Sequence, residues 1–132
     1  MNQLSRQILR FSLVFLLCWF GWQQLAYPEA WMGYLPEWTG YLPVPAETLI
    51  RMNGWFELMA AVFLAAGIYA KFVALIVAAH LVVIAFEVGG AIGVRDFVLG
   101  AAALSLAFSE PDDWTCDVRC QKTPSSAVVS EK

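Results

Sequence analysis

Four long apolar runs, separated by short polar or aromatic breaks, set the pattern of this chain. They cover residues 8–26, 48–69, 72–88 and 92–108. Each holds about 17–22 residues, close to the ~20 that a helix needs to cross the hydrocarbon of a bilayer. Few polar side chains interrupt them. Arg10 lies in the first run, Arg51, Asn53 and Glu57 in the second, His80 and Glu87 in the third, and Arg95-Asp96 opens the fourth. The pattern predicts an all-α fold: an integral membrane four-helix up-down bundle over residues 1–108, with an aromatic-rich outer loop between helices 1 and 2. The polar segment 109–132 holds Pro111, Pro124 and several serines and is expected to be a flexible cytoplasmic tail.

The breaks carry their own signals. Tyr27-Pro28 stops the first span, and the second starts after Pro45, where Glu47 or Thr48 can serve the helix N-terminus. Tyr69-Ala70-Lys71 predicts a tight turn that makes spans two and three antiparallel neighbours, and Gly89-Gly90 breaks span three. The loop repeats Gly-Tyr-Leu-Pro at 33–36 and 40–43, too short an echo for a structural repeat. Its Trp and Tyr residues favour the headgroup layer, so the loop reads first as an interfacial anchor and second as a partial lid. Small residues recur at Ala60-Ala61, Ala65-Ala66-Gly67, Ala78-Ala79 and Gly100-Ala101-Ala102-Ala103, which lets helix backbones approach closely in lipid.

Composition agrees with a membrane protein: 60% of the residues are hydrophobic and 14% charged, with a mean hydropathy of +0.62. The net charge of −3 says little about partners, and no basic patch suggests nucleic acid. The first span is not read as a cleaved secretory signal, because it runs long and ends in Trp22-Gln23-Gln24 rather than at small residues. With the N-terminus in the cytoplasm, Arg6, Arg10, Lys71, Arg119, Lys122 and Lys132 lie inside and only Arg51 and Arg95 outside. The excess of positive charge therefore predicts that both termini are cytoplasmic.

Helix direction gathers the polar residues. Gln23 and Gln24 end span one, and Asn53 and Glu57 lie four apart, on one face of span two. His80 falls near mid-depth and Glu87 at the outer end of span three, while Arg95 and Asp96 begin span four. A carboxylate in hydrocarbon costs roughly 2.5–3.5 kcal/mol even on lenient scales, so Glu57 is expected to face a partner or a cavity. Arg95 is one candidate partner across the bundle. Each residue also has a plain reading. Glu87 and Arg95 can snorkel to water, Asp96 suits a helix N-terminus, and His80 can hydrogen-bond a neighbouring helix. Together Glu57, Arg95, Asp96, His80, Asn53, Gln24 and Gln23 make a candidate polar pocket.

Such a pocket suits a quinone headgroup. Its carbonyls need donors such as Arg95, His80, Asn53 or Gln24, and its reduction needs proton carriers such as Glu57 or His80. The same residue types fit a small polar solute. No tightly bound cofactor and no metal site are expected: the spans lack His-x-x-x-His, Cys-x-x-Cys and Gly-rich phosphate loops. Cys18 reads as packing, and the spacing of Cys116 and Cys120 is a weak signal whose role stays open.

The order of features resembles the DoxX family of small four-helix bacterial membrane proteins, which includes relatives of the DoxD subunit of thiosulfate:quinone oxidoreductase. The pieces that carry the resemblance are Arg10, then Phe20-Gly21-Trp22-Gln23-Gln24-Leu25, Gly54-Trp55-Phe56-Glu57-Leu58 and Arg95-Asp96-Phe97-Val98-Leu99, within about residues 6–108. The family commonly has Lys after the Gly near the end of span one, where this chain has Gln23-Gln24. If that Lys pairs with a carboxylate, Glu57 must rely here on Arg95 or be protonated. The resemblance implies a bacterial inner-membrane protein linked to oxidoreductases, with quinone as a candidate ligand. The functional expectation is thus a quinone-interacting or membrane-anchoring subunit of a redox system, in contact with lipid and served by a soluble oxidoreductase partner; a homo-oligomer is also open. The rivals are a carrier or binding protein for a small metabolite or lipid, and a purely structural bundle.

Overall fold

The computed structural model describes residues 2–110 and 115–116. It is all-helical: α1 (Gln3–Ala26), two short 3-10 segments (Pro28–Tyr34 and Glu37–Tyr41), α2 (Ala46–Ala66), α3 (Ala70–Val88) and α4 (Gly90–Phe108). Each α-helix is long and apolar enough to cross a membrane. Leu13, Leu17, Ala61, Leu64, Ala74 and Val77 are fully enclosed between them. Phe15, Trp19, Trp22, Trp55, Phe86 and Phe108 point outward and are more than half exposed. In water so large an apolar surface would drive aggregation; in lipid it is the solvent-facing side. The protein is an integral membrane protein.

The helix ends differ in detail from the sequence reading. α1 begins five residues before the apolar run, because the Asn2 side chain caps it by accepting from the Ser5 N–H at 2.8 Å. α2 begins at Ala46 without a side-chain cap, so neither Glu47 nor Thr48 caps it. Glu47 instead pairs with Arg51 at 2.8 Å, one turn on. Arg51 Nη1 also donates to the Leu25 carbonyl at 3.1 Å, satisfying an orphan acceptor at the end of α1. Arg51→Met should therefore loosen the α1–α2 junction by about 1 kcal/mol, the net worth of one such bond. Thermal unfolding in detergent checks it, with a fall of a few degrees expected.

α2 ends at Gly67, whose φ of +66° turns the chain while Ile68 N–H closes back on the Phe63 carbonyl at 3.1 Å. The turn is tight but falls at residues 67–69, with Ala70 and Lys71, expected in the turn, already in α3, and it does not make α2 and α3 the closest pair. α1 packs mainly on α2, and α3 on α4. The glycines decide this. A Cβ on Gly54 would lie 2.8 Å from the Gly21 carbonyl oxygen, and one on Gly21 equally close to that of Gly54. Gly93 against Ala85, and Gly100 against Val82 and Ala78, do the same for α3 and α4. The two helix pairs meet along a looser seam.

At the end of the bundle opposite the α1–α2 loop, Arg10 is 1% exposed and its Nη1 lies 3.4 Å from the Leu64 carbonyl. Thr115 is equally buried, against Gly67. Most of the segment expected to form a flexible tail lies outside the described residues.

Candidate functional site

The close crossing of α1 and α2 builds the polar centre. Because Gly21 and Gly54 let the backbones touch, Gln24, one turn beyond Gly21, is carried against α2. Asn53 and Glu57, one turn apart, meet it there. Asn53 Nδ2 donates to Gln24 Oε1 at 2.7 Å and to Glu57 Oε1 at 3.0 Å, and Gln24 Nε2 donates to Glu57 Oε2 at 3.2 Å. The three side chains close a ring in which both carboxyl oxygens of Glu57 accept an N–H. Glu57 and Gln24 are 4% and 5% exposed, so the carboxyl group is shielded from lipid, with Asn53 half-buried at its edge. A buried acceptor with its donors in place removes much of the cost of holding Glu57 inside the bundle.

His80 reaches this ring from α3. Its Nε2 stands 3.9 Å from Glu57 Oε1, beyond hydrogen-bond distance but close enough for an ion pair if the imidazole is protonated. That Nε2 is itself buried and has no hydrogen-bond partner. The imidazole lies against Phe56, with ring centres 4.5 Å apart, so an aromatic wall holds it beside the carboxyl group.

The other predicted residues fall elsewhere. Arg95 does not pair with Glu57. Its Nε donates to its neighbour Asp96 at 2.8 Å, and its guanidinium covers the Phe20 ring at 4.7 Å. The local carboxylate and the aromatic face together satisfy the cation without a reach across the bundle. Asp96 is buried at 5% exposure beneath that arginine. Gln23 is half-buried and joins neither group. Glu87 lies at the loop end of α3, where its Oε2 accepts from Trp38 Nε1 at 3.4 Å. Cys18 and Cys116 are free and exposed; Cys120 lies outside the described residues.

Three contributors are absent from the sequence reading of the pocket. Phe56 shelves His80, Phe20 carries Arg95, and Trp31 packs edge-on against Phe20 with centres 5.5 Å apart. Phe56 neighbours Glu57, and Phe20 precedes Gln24 by one helical turn. That spacing was the available signal, but aromatic residues are too frequent in this chain for it to stand out.

A family model for DoxX matches residues 5–94, more than half of the chain. The chain belongs to the DoxX family. The matched region of this DoxX protein takes in α1, both loop segments, α2, α3 and the opening of α4, and so contains Gln24, Asn53, Glu57 and His80. It stops one residue before Arg95. No curated protein and no solved structure gives a match. Where the DoxX resemblance led to Arg95 or a proton as the partner of Glu57, the structure supplies Gln24 and Asn53. Amide donors occupy the place that the charge was expected to take.

Proposed function

We propose that this DoxX-family membrane protein is a quinone-interacting subunit of a redox system, served by a soluble oxidoreductase. The observation that carries the reading is His80 Nε2: a buried ring nitrogen without a hydrogen-bond partner, 3.9 Å from a sealed carboxyl group. A quinone carbonyl is the kind of acceptor that such a nitrogen lacks, and Glu57 beside it is a proton carrier. Reduction to the quinol takes two electrons and two protons. The electrons come from the soluble oxidoreductase; the protons pass to the two quinone oxygens through His80 and Glu57. Among the described residues Arg6, Arg10 and Lys71 lie at the end opposite the loop and Arg51 and Arg95 at the loop end, which supports cytoplasmic termini in a bacterial inner membrane, on the side where a soluble electron donor would dock.

The test is direct. Protein purified in native membrane patches should yield quinone above the level of the surrounding lipid on solvent extraction. His80→Phe keeps an aromatic ring beside Phe56 but removes the nitrogen. It should lower that yield about tenfold, the effect of losing about 1.4 kcal/mol of binding. Background quinone in the wild type, or an unchanged yield in the variant, refutes the reading. Release of a polar metabolite in place of quinone would favour a carrier.

A further inference from the structure

A second opening lies at the loop end of the bundle, away from the Glu57 ring. It is a cleft of about 490 Å³, within the range of small-molecule sites, between the α1–α2 loop and the corner that joins α3 to α4. Tyr34 and Leu35 form one wall; Glu87, Val88, Gly89 and Gly90 form the other. A Cβ placed on Gly33, Gly89 or Gly90 would find nothing within 4 Å, so the cleft is open space rather than a seam of packed atoms. Gly89 and Gly90 both have positive φ, 64° and 57°, and fold the corner sharply enough to leave that space.

Its charge is one-sided. Glu87 is the charged side chain in the lining, and among the described residues no lysine or arginine pairs with it. Arg95 is held by Asp96 and Phe20, and Arg51 by Glu47 and the Leu25 carbonyl. The ends of α3 and α4 meet here with dipoles of opposite sign, so the helix ends largely cancel and Glu87 sets the potential. Trp38 fixes the carboxylate through its 3.4 Å hydrogen bond, and both Trp38 and Tyr34 keep about half of their surface exposed. A carboxylate and an accessible tyrosine ring lining one cleft are the chemistry that binds an ammonium group, by ion pairing and by the ring quadrupole.

We propose that this cleft binds an organic ammonium group, carried either by a phospholipid headgroup or by a small free amine. Its position beside the aromatic loop, where rings sit at headgroup depth, puts both sources within reach. The loop then acts as more than an anchor, because Tyr34 and Leu35 supply one wall of the site and Trp38 holds the Glu87 carboxylate.

Two measurements separate the sources. In discs of mixed phosphatidylethanolamine and phosphatidylglycerol, native mass spectrometry should show phosphatidylethanolamine retained over phosphatidylglycerol. In discs of phosphatidylglycerol alone, free ethanolamine should change tryptophan fluorescence saturably. Either result supports the site and names its source. Glu87→Gln should weaken the positive result about tenfold, and Tyr34→Leu should weaken it less. Both positions are exposed, so the bundle should persist in each variant. Equal retention of the two lipids together with no saturable fluorescence change overturns the proposal. So does binding that is unaltered in both variants.

Discussion

Gly54→Val should strongly destabilise the bundle and its polar ring together. At this position even a bare Cβ would stand 2.8 Å from the Gly21 carbonyl oxygen, 3.1 Å from Gln24 Cβ and 3.2 Å from Leu25 Cγ. Leu25 Cγ can shift by rotation; the carbonyl and Gln24 Cβ are fixed to the backbone and cannot move without moving α1. Overpacking of a well-filled core costs about 1–3 kcal/mol, and a clash with backbone belongs at the upper end of that range. The damage also has a second part. Gln24 is delivered to Glu57 by this crossing, so parting the helices should break the Gln24–Glu57 hydrogen bond as well. Thermal melts in detergent should show a large fall for Gly54→Val and a smaller one for Gly54→Ala. Gly40→Ala, where nothing lies within 4 Å, should melt like the wild type. Equal melts for Gly54→Val and Gly40→Ala would mean that α1 and α2 do not touch at this point.

The same crossing shows what the sequence could and could not tell. Four spans were legible because an uninterrupted apolar run of helix-spanning length has few other uses. Asn53 and Glu57 were legible as one face because helical spacing is fixed by geometry. Chain direction likewise brought Gln24 and His80 to a similar depth, and the structure brings these four side chains together. Which helices pair most closely was not legible. It depends on where Gly21, Gly54, Gly93 and Gly100 point, and small residues are scattered over several spans. Arg95 shows a second limit. A guanidinium can satisfy itself on an adjacent carboxylate, a distant one or an aromatic face, and the sequence does not rank these. The structure uses Asp96 and Phe20. Arg10 is a third case. Near the start of an apolar run it counts in sequence only as one of the charges on the cytoplasmic side, yet it is enclosed where α2 ends.

Glu57 should divide stability from chemistry. In Glu57→Leu, Gln24 Nε2 loses its acceptor and stays buried, while Asn53 Nδ2 keeps Gln24 Oε1 and loses only its second acceptor, a cost of about 1–3 kcal/mol. Glu57→Gln keeps the volume and one acceptor oxygen but turns an amide N–H₂ toward a donor, so it should fall between Leu and the wild type. The decisive variant is the pair Gln24→Leu with Glu57→Leu. Removing both members of the Gln24–Glu57 bond leaves neither stranded, though Asn53 Nδ2 then loses both acceptors, so the double variant should melt above the level that the two single losses add up to. Such recovery would show that the ring is a coupled unit; strictly additive losses would show that it is not. Quinone reduction with a supplied soluble donor should behave differently. It should be lost in Glu57→Gln even where the protein remains folded, and the recovered double variant should stay inactive, since neither keeps the carboxyl group that the proposal makes the proton carrier. A double variant that regains stability and reduces quinone normally would leave Glu57 a purely structural residue.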